Sequence, residues 1–336
     1  MSWLFDLLMF FTGRHLRKAT VAAFKALEDP YMRLDVTHTL VFGISETTGN
    51  PAPVVFNADD LTTLQMQAIA AHFGQETVFV LKPINSAAHI RLRYFVPHHE
   101  MEMCVHATVA TITVLVRQRV LDKSPAYVET TLGIIAVHWQ PTRDEQILVM
   151  VEQFPPKWSS QNPDKEQVAA ALRISSEAVV DSMNPVQSVS TSRFKLIIPL
   201  KDWNDLDRLQ PDFERLWAIC DAFNTTGFYP FTVKTLDPSV QVEARQFPKR
   251  AGYDEDPATG VAASALSAYL TKYKVLGPSS DGWHSVVVGQ GRAMKSPSTI
   301  NTEVFTKNDD IILTRVGGTA NIKGNEILDF PDSKSE

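Results

Sequence analysis

From residue 32 onward the chain alternates two kinds of hydrophobic pattern. Short runs that are apolar at every second position, or apolar throughout, predict strands. They cover 33–42, 52–59, 76–83, 89–97, 126–140 and 146–156, then 193–200, 228–235, 241–248, 284–291, 300–305 and 309–324. Helical periods lie between them. In "DLTTLQMQAIAAHFG" (60–74), Leu61, Leu64, Met66, Ile69 and Phe73 fall roughly on one face, and Gly74 stops the helix. Residues 164–174 and 212–223 have the same amphipathic rhythm. Two stretches differ. "CVHATVATITVLVRQRVL" (104–121) and the latter part of "GYDEDPATGVAASALSAYL" (252–270) are small or apolar nearly all round, so each predicts a helix buried on every side.

This mixture predicts an α+β fold with much antiparallel sheet. No Gly-rich phosphate loop follows a first strand, so a dinucleotide-binding fold has no support. The two buried helices can be laid over each other at an offset of 155 residues. Cys104-Val105-His106-Ala107 then sits over Thr259-Gly260-Val261-Ala262, and Leu115 over Leu270. The match suggests an internal duplication into two similar lobes. We divide them as residues 32–124 and 125–330, with the last strand free to return to the first lobe.

Composition narrows the partners. A length of 336 residues accommodates two lobes. The net charge is −6 and the 32 Lys and Arg residues form no run, so neither nucleic acid nor an anionic membrane is an expected partner. Cys104 and Cys220 cannot build a disulfide framework, and no Cys/His spacing reads as zinc; a reducing, cytoplasmic compartment is expected. "WLFDLLMFF" (3–11) is far shorter than the ~20 residues of a membrane span and lacks a leading basic region, so no span or signal peptide is predicted. Residues 1–31 read as an extension outside the fold, or as a helix docked on it.

The chemistry concentrates at the two buried helix starts. A helix N-terminus has four unpaired N–H groups and about half a positive charge, so two of them facing one cleft make a carboxylate cradle. Asp256, ahead of Pro257 and Gly260, is placed to accept amide hydrogens; a simple N-cap would look the same. His106 falls in the first turn of the other helix, where a satisfied core histidine is the bland alternative. Glu76 lies between Gly74 and the strand of Val78, Phe79 and Val80, where desolvation should raise its pKa toward that of a general base; a surface strand-start Glu is the alternative.

Taken together, "TGNPAPVVFNADDLTTLQMQAIAAHFGQETVFVL", "LRYFVPHHEMEMCVHAT" and "GYDEDPATGVAASALSAYL" resemble the PhzF (phenazine-biosynthesis) family, in family order and over essentially all of the chain from Met32. The resemblance implies a diaminopimelate-epimerase-like fold: two pseudo-symmetric lobes, each a barrel-like mixed sheet around a central buried helix, with the site between them. It also implies no metal, no organic cofactor and a homodimer. Glu76 matches the family's proton-shuttling Glu, while His106 and Asp256 match its substrate-contacting or acid–base-assisting positions. Gly260 matches the backbone approach at the second helix start. Three positions depart from the pattern. Val105 replaces the usual Gly and should narrow the amide cradle, Val261 replaces a Ser, and Gln75 stands where Ser is common.

The expected activity is that of a cofactor-independent isomerase. Glu76 moves a proton on a small carboxylate-bearing metabolite, with Gly260, Val261, Val105, Thr259, Cys104 and Gln75 around the substrate. Two-base epimerases of this fold place a Cys at each helix start; here Cys104 faces Thr259, which disfavours that chemistry. The alternatives are a catalytically inactive binding or regulatory protein, favoured by Val105 and Val261, and a single-thiol epimerase or dehydratase using Cys104.

Overall fold

The structure, a computed structural model, describes residues 31–180, 184–278 and 280–331. The expectation for residues 1–31 falls, but for the strand residue Tyr31, outside the described residues. By their contacts the described residues form a large unit, residues 35–326, and a small one that includes 31–34 and 327–331. Arg33 and Asp329 make an ion pair of 3.2 Å within the small unit.

The predicted alternation of strands and helices is borne out. The elements are β1 (Tyr31–Val41), β2 (Asn50–Pro51), β3 (Val54–Val55), α1 (Thr63–Phe73), β4 (Thr77–Leu81), β5 (Ile90–Phe95), β6 (Glu100–Met101) and α2 (Val105–Arg117). Next come β7 (Ala126–Thr130), β8 (Gly133–Pro141), β9 (Ile147–Gln153), β10 (Lys157–Trp158), α3 (Lys165–Leu172), β11 (Gln187–Ser190) and β12 (Phe194–Pro199). The chain continues through α4 (Trp203–Asp207), α5 (Phe213–Ala222), β13 (Gly227–Thr232), β14 (Val242–Ala244), β15 (Phe247–Pro248) and α6 (Gly260–Lys272). β16 (Gly282–Gln290), β17 (Ser298–Lys307), β18 (Asp310–Gly318) and β19 (Ala320–Pro331) complete it.

The strand pairings spell out the same motif twice. In the first, β3 and β4 are parallel, joined by a crossover through α1. β4 pairs antiparallel with β5, and β5 runs parallel to β7 across the α2 crossover. β7, β8 and β9 then form an antiparallel meander. In the second, β12 and β13 are parallel across α4 and α5, β13 pairs antiparallel with β14, and β14 is parallel to β16 across α6. β16, β17 and β18 form the closing meander. Parallel neighbours need such crossovers, and each of the two long ones delivers a central helix. The repeats meet where β9 pairs antiparallel with β18. β19 returns to pair with β1.

The helices α2 and α6 begin 155 residues apart and have 13 residues each. All of Val105–Leu115 and all of Gly260–Leu270 are buried, as their all-round apolar patterns predict. α2 packs on β3, β4, β9 and β18, and α6 on β11, β12, β17 and β18. One apolar core contains both helices; a second, with Val168, Leu172, Leu196, Ile198, Leu216 and Phe247, lies beneath α3 and α5.

Two expectations shift. The boundary drawn at residues 124/125 falls between α2 and β7, which the parallel β5–β7 pairing ties to the first repeat; the topology starts over only after β9. In α1, Leu64 is 82% exposed. Thr62 and Gln65 form a capping box that sets the first turn, and the buried face runs through Gln65, Met66, Ile69 and Ala70 instead.

Candidate active site

The polar side chains of the two repeats meet where α2 and α6 start. Gly74 closes α1 in a left-handed conformation, φ 63°, and the chain turns so that Glu76 precedes β4. α2 opens with Cys104 in the N-cap position and α6 with Thr259, and neither side chain caps its helix. Among the described residues, the amides of Val105, His106, Gly260 and Val261 meet no protein acceptor. Two uncapped helix starts therefore present N–H groups to the same cavity.

Gly260 makes the close approach possible. A Cβ at that position would lie 2.6 Å from Cγ1 of Val105, so any side chain would push the helix starts apart. Val105 thus fills the space between them. The expected narrowing of the cradle is visible as this contact, yet an open cavity lined by both Val105 and Val261 remains.

Glu76, Cys104, His106 and Asp256 all line that cavity, together with Val105, Thr259, Gly260 and Val261. Gln75, the residue expected beside them, is not in the cavity wall. It occupies the bend before β4, and its carbonyl accepts a hydrogen bond from Thr77.

Glu76 is held from both oxygens. Tyr253 donates its hydroxyl hydrogen to Oε1 at 2.5 Å and Cys104 its thiol hydrogen to Oε2 at 3.0 Å; His106 Nε2 lies 3.4 Å from Oε2. Burial by itself would raise the Glu76 pKa, as expected from the sequence. The imidazole of His106, the hydroxyl of Tyr253, the thiol of Cys104 and the more distant Arg193 outweigh it and hold Glu76 below the ordinary carboxylate value. The sequence expectation of a raised pKa is corrected accordingly. Burial lowers the His106 pKa, against Glu76 and a hydrogen bond with the Pro51 carbonyl. Burial and the neighbouring Glu76 raise the Cys104 thiol well above its usual value, so it stays protonated at neutral pH.

Asp256 is 6% exposed. Asn50 donates to its Oδ1 at 2.6 Å, and the Thr259 hydroxyl donates to its Oδ2. Asn50 also reaches the Ala258 carbonyl at 2.8 Å, which ties the first repeat to the loop before α6. Burial first, then the charge of Glu76, pushes Asp256 up to about 7, despite the bond from Thr259, the charge of Lys195 and the bond from Ala258. Two neighbouring carboxyl groups, Glu76 half-buried and Asp256 buried, thus differ in protonation: Glu76 is ionised and Asp256 titrates near neutrality. Of its acidic neighbours, Glu255 is spent on a two-pronged ion pair with Arg245 at 2.8 and 2.7 Å, which shapes the loop.

Glu76, Cys104 and His106 have their ligand atoms within 4.8 Å of one another and are, among the described residues, the group that could hold a metal ion. Both Glu76 oxygens already accept hydrogens from Tyr253 and Cys104.

Sequence reasoning missed Tyr253, Asn50, Arg193, Lys195 and Gln246. Tyr253 stands in the same "GYDEDPATG" stretch, but nothing local singles out a Tyr whose partner is 177 residues away. Both cysteines are free and buried, and no described helix is long and apolar enough to cross a membrane.

Comparison with known proteins gives a consistent result. The family model of phenazine biosynthesis-like proteins (PhzC-PhzF) matches residues 40–324. The Bacillus subtilis (strain 168) protein named uncharacterized isomerase YfhB is 31% identical over 266 residues, which is 78% of this chain and 88% of that protein. A Pseudomonas fluorescens protein named trans-2,3-dihydro-3-hydroxyanthranilate isomerase is 30% identical over 272 residues, 80% of this chain and 90% of that one. Among solved structures, the PhzF-family phenazine biosynthesis protein of Bacillus anthracis superposes with a TM-score of 0.80 at 27% identity, covering 88% of this chain and 99% of that one.

Proposed function

This chain belongs to the phenazine biosynthesis-like (PhzC-PhzF) family, and on that premise we propose that it is a cofactor-independent isomerase that moves a proton within a small carboxylate-bearing substrate. The observation that carries the reading is the meeting of an ionised, hydrogen-bonded Glu76 with two uncapped helix starts in one cavity. Glu76 takes a proton from a carbon next to an unsaturated or carbonyl-like group and returns it elsewhere on the same molecule. The free amides of Val105, His106, Gly260 and Val261 bind the substrate carboxylate and the charge that builds up beside it. Asp256, titrating near neutrality, exchanges a hydrogen bond with the developing oxyanion, and neutral His106 keeps Glu76 in place. The family relationship supports the reaction class: the Pseudomonas fluorescens relative is named as an isomerase of a carboxylate-bearing ring.

Acid–base catalysis of this kind contributes about 10²–10⁴-fold, and the amide cradle adds to it. Glu76→Gln should therefore retain the fold and ligand binding but lose turnover by about 10³-fold or more. A metabolite screen followed by solvent-deuterium incorporation and product analysis supplies the assay; a Glu76→Gln protein with near-wild-type turnover would falsify the assignment. A binding protein without catalysis is disfavoured because Glu76, His106 and Asp256 converge and the two valines leave the cavity open. A single-thiol mechanism is disfavoured because Cys104 is held as a thiol and Thr259 donates its hydroxyl to Asp256. Cys104→Ala is expected to keep turnover. We further propose a homodimer in the cytoplasm, to be tested by a sedimentation mass of twice 37.5 kDa.

A further inference from the structure

Lys195 is a cation that the chemistry above does not use. Strand alternation along β12 sends Leu196 and Ile198 into the core beneath α3 and α5, whereas Ile197 faces the core of α2 and α6. Lys195 shares the Ile197 side and lines the catalytic cavity, with only 7% of its surface exposed. Its ammonium makes no hydrogen bond and no ion pair among the described residues. Burial and the nearby Arg193 lower its pKa to about 8, against the charges of Asp256 and Glu76, so it still carries a charge at neutral pH. Arg193, in the same wall, has Glu102 at 3.7 Å for its own charge.

Gln246 provides a second, independent observation. It is 1% exposed and lines the same cavity, and neither atom of its carboxamide has a hydrogen-bond partner. Its backbone pairs with Asp256, which fixes it beside the start of α6. Asp256 and Glu76 favour the Lys195 charge from across the cavity, but no acceptor touches the ammonium, and a buried amide without partners is costly. The ligand must supply the missing groups.

Resting on the isomerase reading above, we propose that Lys195 and Gln246 form a second acid-binding subsite and that the substrate is a dicarboxylate. One carboxylate lies on the helix-start amides beside Glu76. The other takes the Lys195 ammonium on one oxygen and the Gln246 amide N–H on the other, which matches two donors to a planar monoanion. The Gln246 carbonyl oxygen then accepts an O–H or N–H hydrogen of the same molecule. Lys195 is therefore a specificity-determining residue, selecting acids with two charges over acids with one.

The test uses the full-length protein and four variants: Lys195→Met, Lys195→Gln, Gln246→Leu and Glu76→Gln. Each is titrated calorimetrically with succinate, glutarate and adipate, and with the half-amide of each acid. At least one diacid should bind wild type about tenfold or more tighter than its half-amide, the scale of a charge-assisted hydrogen bond. Lys195→Met and Lys195→Gln should bring that ratio to about one, and Gln246→Leu should lower it several-fold. Glu76→Gln should keep the preference. Thermal melting checks that each variant is folded, and with two Lys195 variants a folding failure in one still leaves the other. The subsite is overturned if wild type shows no diacid preference, whether from equal affinities or from no binding. It is also overturned if the preference survives in a folded Lys195 variant. If Glu76→Gln stays fully active while the diacid preference holds, the isomerase assignment falls and the subsite stands.

Discussion

The Asp256 carboxyl titrates at about 7 in the folded protein, against an ordinary value of 3.8. Between those two pH values the folded protein keeps a proton that the unfolded chain releases. Stability from this group is therefore present at low pH and lost as pH rises from about 4 to about 7, by at most about 4 kcal/mol. Glu76 works in the opposite sense: its lowered pKa contributes stability above the ordinary value of 4.5 that is lost as pH falls through the folded value. Asp256→Asn is expected to flatten the pH dependence of urea midpoints between pH 4 and 7 and to raise the midpoint at pH 8; an unchanged slope would locate the titration elsewhere. Tyr253→Phe removes a hydrogen bond that holds the Glu76 carboxyl down. The carboxyl 13C titration of Glu76 should then move to higher pH. Glu76, His106 and Asp256 were legible in the sequence because each sits beside a local signal: a helix stop, a helix start, a Pro-Gly turn. Asn50 and Lys195 were not. Asn50 meets Asp256 across 206 positions, and Lys195 is conspicuous only once its lack of a partner is seen.

The two central helices were legible as elements, to their 155-residue offset, since a helix buried on all sides has no polar stripe to blur its limits. Their mutual contact was legible only as an expected crowding at Val105. In the fold that crowding is specific: Gly260 faces Val105, and an added Cβ would lie 2.6 Å from Cγ1 and 2.7 Å from Cβ of the valine. Gly260→Ala should destabilise the protein by about 1–3 kcal/mol through overpacking. Val105→Ala should cost about 1 kcal/mol or somewhat more by itself, from lost burial. Combined, they should cost less than the sum, because the shortened side chain makes room for the new methyl group. Denaturant unfolding of the four proteins measures the coupling; strict additivity would mean that the helix starts do not press on each other. Leu64 illustrates the reverse case. It was counted with the predicted stripe of α1, but at about 100° per residue it lies on the side away from Met66 and Ile69 and so stands in solvent.

At the scale of the molecule, the seam between the repeats is the β9–β18 pairing, from Val149 opposite Gly318 to Gln153 opposite Thr314. No local pattern in the sequence announces it, since strand partners so distant are chosen by tertiary packing. Gly317 is needed there. An added Cβ would fall 1.7 Å from the carbonyl oxygen of Val149, a backbone atom that cannot swing aside. Gly317→Ala is expected to be among the most damaging single-methyl changes in the chain, costing several kcal/mol. Because α2 and α6 both pack on β18, the two repeats should unfold together, as one transition at lower denaturant rather than as two. Separate transitions followed by Trp139 in β8 and Trp283 in β16 would contradict this.

The seam also has a meaning for ancestry. β9 and β18 are the last strands of their repeats, and they pair antiparallel with Val151 against Val316. Antiparallel pairing of two equivalent strands is what a twofold axis produces between identical subunits. The protein has the plan of a symmetric dimer closed into one polypeptide, with the two helix starts in contact at Val105 and Gly260. Identical subunits must place the same residue on both sides of such an axis, while fused ones are free to diverge. The matched positions have done so: Cys104 opposes Thr259, Val105 opposes Gly260 and His106 opposes Val261. One half now carries the thiol and the imidazole and the other the hydroxyl and the bare backbone, a division of labour closed to two identical chains.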